Sequence, residues 1–175
     1  MYVKKKQYLC GGFSIRKTKI AMKNTEIERK FLVRSEAFRS EATGSYEIVQ
    51  GYLCKEPCKT IRVRIKGDRA FLTIKSSALR AGLAKFEWEK EIEVSDAREL
   101  MQLCLPGAID KTRYIVPAAD FAGASRCWEI DVFHGRLDGL VLAEIELGSE
   151  GEPFSRPEWL GEEVTGQPQY YNANM

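Results

Sequence analysis

A chain of 175 residues is long enough for one well-packed domain and short for two. Its 44% hydrophobic and 30% charged residues are ordinary globular composition, and no apolar run approaches the ~18 to 20 residues that cross a bilayer as a helix. The net charge of +2 is no argument for a nucleic-acid partner. Six of the 27 basic side chains (Lys4, Lys5, Lys6, Arg16, Lys17, Lys19) lie in residues 1–21, which carry no acidic group, so the remainder has 21 basic against 25 acidic groups.

That basic leader has no continuous apolar stretch and makes a poor secretory signal. It reads as lying outside the domain, with Met22 as the start and residues 22–175 as a single domain. Five scattered cysteines (Cys10, Cys54, Cys58, Cys104, Cys127) offer no framework of pairs. Cys54 and Cys58 in "CKEPC" lack a second cysteine or histidine pair to complete a tetrahedral zinc site. Reduced thiols in a cytoplasmic protein are the expectation.

In chain order, eight strands are predicted, over residues 25–34, 46–54, 60–66, 69–76, 85–94, 110–116, 127–133 and 140–147, most of them on period-2 alternation. Gly67-Asp68 in "KGDR" joins the third and fourth as a hairpin. A short helix is expected from Ser35 to Glu41. A better one is expected in "SDARELMQLCLPG", capped by Ser95 or Asp96, with Leu100, Leu103 and Cys104 as its apolar face and Pro106-Gly107 as its stop. Pro157 suits the first position of a helix over "EWLGEE", which Trp159 would dock. Trp88 and Trp128 fall on the apolar parity and are expected in the core. The sole histidine, His134, follows "DVF" at a glycine turn and reads as a loop residue. Eight mostly antiparallel strands suggest an α+β, mainly β fold: a barrel or strongly curled sheet, because closure removes exposed edges.

The polar faces of these strands are unusual. "NTEIERKFLV" puts Glu26, Glu28 and Lys30 opposite Ile27 and Phe31. "TIRVRIK" sets Arg62, Arg64 and Lys66 against Ile61, Val63 and Ile65, and "FLTIKS" contributes Thr73 and Lys75. "KFEWEKEIEV" supplies Lys85, Glu87, Glu89, Glu91 and Glu93; "KTRY" supplies Lys111 and Arg113. "WEIDVF" gives Glu129 and Asp131, and "LAEIEL" gives Glu144 and Glu146. A solvated face is the ordinary explanation for any one of them. Doublets of one charge at i, i+2 repel by about 1 kcal/mol or more at close range, and their recurrence points to a ligand that compensates them. Arginine and lysine rows match phosphate oxygens, and carboxylate rows match Mg²⁺ or Mn²⁺, which also bind phosphates. Both together fit a phosphate chain carrying divalent metal inside a barrel, with the apolar faces outside under helices.

These residues also resemble a known family. Glu26-Ile27-Glu28-Arg29-Lys30 fits the ExExK signature of the CYTH superfamily, the triphosphate tunnel metalloenzymes. "TIRVRIKGDRAFLTIKS", "EKEIEV", "DKTRYIV", "WEIDVFHGRLDGLVLAEIEL" and "WLGEEVT" are similar to that family in order and spacing, from Thr25 to about Tyr171. The compact chain looks most like the short bacterial members that hydrolyse inorganic tripolyphosphate. The resemblance implies an eight-stranded antiparallel barrel forming a tunnel. It implies phosphate contacts from Lys30, Arg62, Arg64, Lys75, Lys85 and Arg113, with Tyr52 beside the chain. Metal ligands or their supports would be Glu26, Glu28, Asp131, Glu144 and Glu146, with Glu87, Glu89 and Glu129 as further candidates. Lys111 would have a catalytic role beside Glu26 and Glu28. It implies Mg²⁺ or Mn²⁺ as cofactor and a triphosphate as partner, with no nucleic acid or membrane, and leaves a homodimer open. Adenylate cyclase and thiamine triphosphatase share the fold, and a non-catalytic polyphosphate-binding module is the reading from another class. That module would need the cationic rows without the carboxylates.

Overall fold

The computed structural model describes residues 27–56, 59–76, 86–118 and 126–175. Its strands are β1 (Ile27–Val33), β2 (Gly44–Glu56), β3 (Lys59–Lys66), β4 (Arg69–Ser76), β5 (Phe86–Ile92), β6 (Ile109–Pro117), β7 (Cys127–Phe133), β8 (Val141–Leu147) and β9 (Leu160–Glu163). Helix α1 (Phe38–Glu41) follows β1, and α2 (Val94–Gln102) follows β5. All nine strands form one sheet in the order β5-β4-β3-β2-β6-β7-β8-β1-β9, and every ladder is antiparallel.

The mainly β, antiparallel expectation holds, and each of the eight predicted strands is present. Two features differ. Residues 160–163 form a ninth strand on β1, where a helix was expected, because Arg34 and Val164 draw backbone hydrogen bonds between the two segments. The sheet also ends at β5 and β9, with no ladder joining those edges among the described residues.

The outer face is apolar and covered, as the alternation requires. Phe31, Trp128, Ile130, Ala143 and Ile145 of β1, β7 and β8 pack with Phe38 of α1 and with Trp159. Edge-to-face aromatic contacts link Trp128 to both Phe31 and Trp159. A second outer cluster places Ala97, Leu100 and Met101 of α2 on Val63, Ala70 and Leu72. Gly51 permits that approach: a Cβ there would lie 2.7 Å from the Cys104 sulfur and 3.1 Å from the Met101 sulfur.

Several local expectations are corrected. Helix α1 begins only at Phe38, and α2 starts one residue before Ser95, flanked by Glu93 and without a side-chain cap. Leu103 lies past the end of α2 and is 72% exposed, so it is not part of the buried stripe. Trp88 is 41% exposed because it sits on the sheet's edge strand.

The inner face is the charged one. Side chains that lie directly opposite share a face in an antiparallel ladder, which puts Glu28, Lys30, Gln50, Tyr52, Arg62, Arg64, Thr73, Lys75, Glu87, Glu89, Lys111, Arg113, Glu129, Asp131, Glu144 and Glu146 on one side. Lys30, Gln50, Thr73, Lys111, Arg113, Asp131 and Glu144 are all buried there. Charged side chains on a sheet face lose water where something covers them, and here Tyr170 and Asn172 of the C-terminal segment reach Lys30 and Lys111. One end of this face is apolar: Ile109, Phe133 and Leu142 pack with Val164, Tyr170 and Met175, so the C-terminal segment closes that end. Among the described residues no helix is long and apolar enough to cross a membrane.

Candidate active site

The centre of the inner face is a cluster on β6, β7, β8 and β1. The Lys111 ammonium donates to Asp131 Oδ2 at 2.5 Å and to Asn172 Oδ1 at 3.5 Å. Arg113 forks onto Asp131, with Nε to Oδ1 and Nη2 to Oδ2 both at 2.6 Å, and also reaches Glu129 and Glu144 Oε2, the latter at 3.3 Å. Lys30 pairs with Glu144 at 2.7 Å and Glu28 at 3.3 Å, and donates to the Tyr170 carbonyl at 3.2 Å.

Electrostatics follow from this packing. Burial alone would raise the Asp131 carboxyl, but Lys111 and Arg113 outweigh it and hold Asp131 below its ordinary range. Burial pulls the Lys111 ammonium below the usual lysine value, against the opposing pull of Asp131. Glu28 is pushed up, first by burial and then by the neighbouring Glu144 charge. Burial opposes charge on Lys30, yet Glu144 and Glu28 together carry it above its ordinary value.

A second cluster lies on β3, β4 and β5. Arg62 and Arg64 point toward Glu89, at 3.6 and 3.3 Å, and Thr73 donates to the same carboxylate at 2.6 Å. Lys75 pairs with Glu87 at 2.9 Å. Burial and the adjacent Arg62 lower Arg64 from its ordinary value. The Nε–H groups of Arg62 and Arg64 are buried without a hydrogen-bond partner. Tyr52 sits opposite Arg62, and burial raises its phenol.

The carboxylates fit hard divalent cations. Glu28 lies directly opposite Glu146, and Glu129 opposite Glu144. Like charges in register repel, and burial together with Glu144 outweighs the Lys30 contact and keeps Glu28 raised. On the opposite, outer face, Glu47, Asp110 and His134 bring one potential ligand atom each within 4.8 Å of the others. Thr112 there bonds the Glu47 carboxylate at 3.0 Å and His134 Nε2 at 2.7 Å.

Residues 24–174 match the CYTH domain family. The chain is 41% identical over 151 residues to an inorganic triphosphatase of Acetivibrio thermocellus, covering 86% of this chain and 92% of that one. It is 37% identical over 155 residues to an inorganic triphosphatase of Nitrosomonas europaea, covering 86% and 96%. The solved structure of the inorganic triphosphatase NE1496 superposes with a TM-score of 0.62 at 33% identity, covering 88% of this chain and 95% of that one. The chain belongs to the CYTH domain family.

In this CYTH chain, the two clusters bring together Glu28, Lys30, Tyr52, Arg62, Arg64, Lys75, Glu87, Glu89, Lys111, Arg113, Glu129, Asp131, Glu144 and Glu146 on one face. Glu26 and Lys85 lie outside the described residues, as does the leader 1–21. Asp131 is already engaged by two cations and stands as their support. Gln50 and Asn172 were missed by the sequence reading. The parity of Gln50 with Tyr52 was the available signal; nothing in "NANM" marks Asn172.

Proposed function

We propose that this chain hydrolyses inorganic tripolyphosphate to pyrophosphate and phosphate, with water cleaving one P–O–P bond. The observation that carries the reading is the inner face, where buried cations and carboxylates occupy adjacent strands of one curled sheet. The names of two relatives, each matched over more than 90% of its length, support the same activity.

Lys30, Arg62, Arg64, Lys75 and Arg113 hold phosphate oxygens, joined by Lys85, and Tyr52 borders the chain. Holding the transferring and leaving groups against fixed positive charge is most of what phosphoryl transfer asks of a protein. Lys111 protonates or electrostatically stabilises the leaving pyrophosphate, and its lowered proton affinity suits a donor. Asp131 fixes Lys111 and Arg113 in place. Glu28, Glu144 and Glu146, with Glu129 beside them and Glu87 and Glu89 on the far cluster, would hold Mg²⁺ or Mn²⁺, and Glu26 of the ExExK signature is proposed to join them. Such an ion supplies Lewis acidity toward phosphate oxygens and the attacking water. A module that only bound polyphosphate would need none of these carboxylates.

The test is phosphate release from tripolyphosphate, pyrophosphate, ATP and thiamine triphosphate, with Mg²⁺, Mn²⁺ or chelator. Tripolyphosphate should give the highest kcat/KM, and chelator should abolish turnover. A preference for ATP or thiamine triphosphate, or no release from tripolyphosphate with either metal, rejects the assignment.

A further inference from the structure

We propose that Gln50 is a substrate-contacting residue whose carboxamide N–H donates to a phosphate oxygen of the bound polyphosphate, at the point where the cationic row meets the apolar end of the inner face. The inference rests on the polyphosphate reading above and adds a neutral donor to it.

Gln50 is 2% exposed, and its Nε2 has no hydrogen-bond partner. Removing an amide from water without replacing its hydrogen bonds is costly, so buried amides are nearly always satisfied. Gln50 lies in register with Arg64 on β3 and with Ile109 on β6. Tyr52, two residues on, is in register with Arg62. The unpartnered Nε–H groups of Arg62 and Arg64 therefore belong to the same stretch of the inner face as the unpartnered Gln50 Nε2. Three buried donors without acceptors, close together, call for an acceptor-only group with several oxygens, and a phosphate chain is one.

The choice of glutamine also has a physical reason. Burial and then Arg62 already disfavour charge on Arg64, and a third cation would add to that repulsion. A carboxamide donates without charge. If the position served packing alone, an apolar side chain between Ile48 and Ile109 would fill it without the desolvation cost.

The experiment compares Gln50→Met, similar in length but without donors, with Gln50→Glu and Arg62→Ala. Each is read by ligand-free melting temperature, by calorimetric tripolyphosphate affinity in chelator, and by KM and kcat with Mg²⁺. Gln50→Met should melt at or above the parent temperature while losing about tenfold in affinity, the weight of one hydrogen bond to a charged group. KM should rise with a smaller change in kcat. Gln50→Glu should lose more, because an anion then faces the polyanion. If Gln50→Met lowers the melting temperature and the folded protein keeps parental affinity, Gln50 is structural and the proposal is overturned. If Gln50→Met does not fold, Gln50→Leu decides in its place: retained affinity overturns the proposal and a loss of about tenfold supports it. Should Arg62→Ala weaken binding while both Gln50 variants bind normally, this inference alone fails. Should all three bind normally, the polyphosphate reading fails with it.

Discussion

Lys111 Nζ lies 2.5 Å from Asp131 Oδ2, and both side chains are 1% exposed. The pair is not isolated, because Arg113 forks onto the same carboxylate. Asp131 therefore neutralises two buried cations; its loss strands Lys111 and leaves Arg113 with only Glu129 and Glu144.

The first prediction follows from that asymmetry. Asp131→Asn should cost about 3–5 kcal/mol, the usual penalty for breaking a buried ion pair from one side. Lys111→Met should cost less, because Arg113 still compensates the carboxylate. Both should depress turnover. Denaturant unfolding checks the order, and equal stability losses would show that Arg113 does not share Asp131.

A second prediction concerns pH and Glu28. Its folded-state pKa is raised above the ordinary value of 4.5, first by burial and then by Glu144. The folded protein thus holds this proton more tightly than the unfolded chain. The resulting penalty is absent below the ordinary value and grows as pH rises through the folded one. In chelator, Glu28→Gln should melt above the parent protein at pH 7, and the gap should close as the pH falls below 4.5. Adding Mg²⁺ or Mn²⁺ should stabilise the parent more than the variant. A variant that melts lower at pH 7 in chelator would mean that Lys30 compensates Glu28 fully.

What the sequence made legible was parity. Alternation in "TIRVRIK" and "LAEIEL" is enough to put Arg62 with Arg64 and Glu144 with Glu146 on one face, because the side-chain period of a strand is two. Register was not legible. Nothing local to "KTRY" or "WEIDVF" says that Arg113 lies opposite Asp131, and so these doublets looked self-repelling where Arg113, Lys75 and Lys30 in fact face Asp131, Glu87 and Glu144 across their ladders. Trp88 shows the same limit: its parity was right, but edge position, a property of the whole sheet, left it exposed. β9 carries only four residues, one of them Gly161, too few to alternate. Its pairing is fixed instead by β1 and by the Arg29–Glu163 ion pair.

The last prediction sets Arg64→Ala against Glu144→Gln. Arg64 touches Glu89 at 3.3 Å, has an unpartnered Nε–H, and is disfavoured as a cation by burial and by Arg62. Its removal should leave the ligand-free protein nearly as stable, yet weaken tripolyphosphate binding by about 1.5–3 kcal/mol with or without metal. Glu144 differs because it holds Lys30 at 2.7 Å and Arg113 at 3.3 Å. Glu144→Gln should lower ligand-free stability, since buried Lys30 loses a counter-charge. Metal-free tripolyphosphate binding should be kept or tightened, because Lys30 and Arg113 are released toward the phosphates and one anion is gone. Metal-dependent turnover should fall by orders of magnitude. Melting curves, calorimetry in chelator and phosphate release measure the three effects separately. A glutamate on a merely solvated strand face would behave otherwise: glutamine there changes stability by under about 0.5 kcal/mol and leaves turnover alone. That result would return the charged face to solvent and end the tunnel reading.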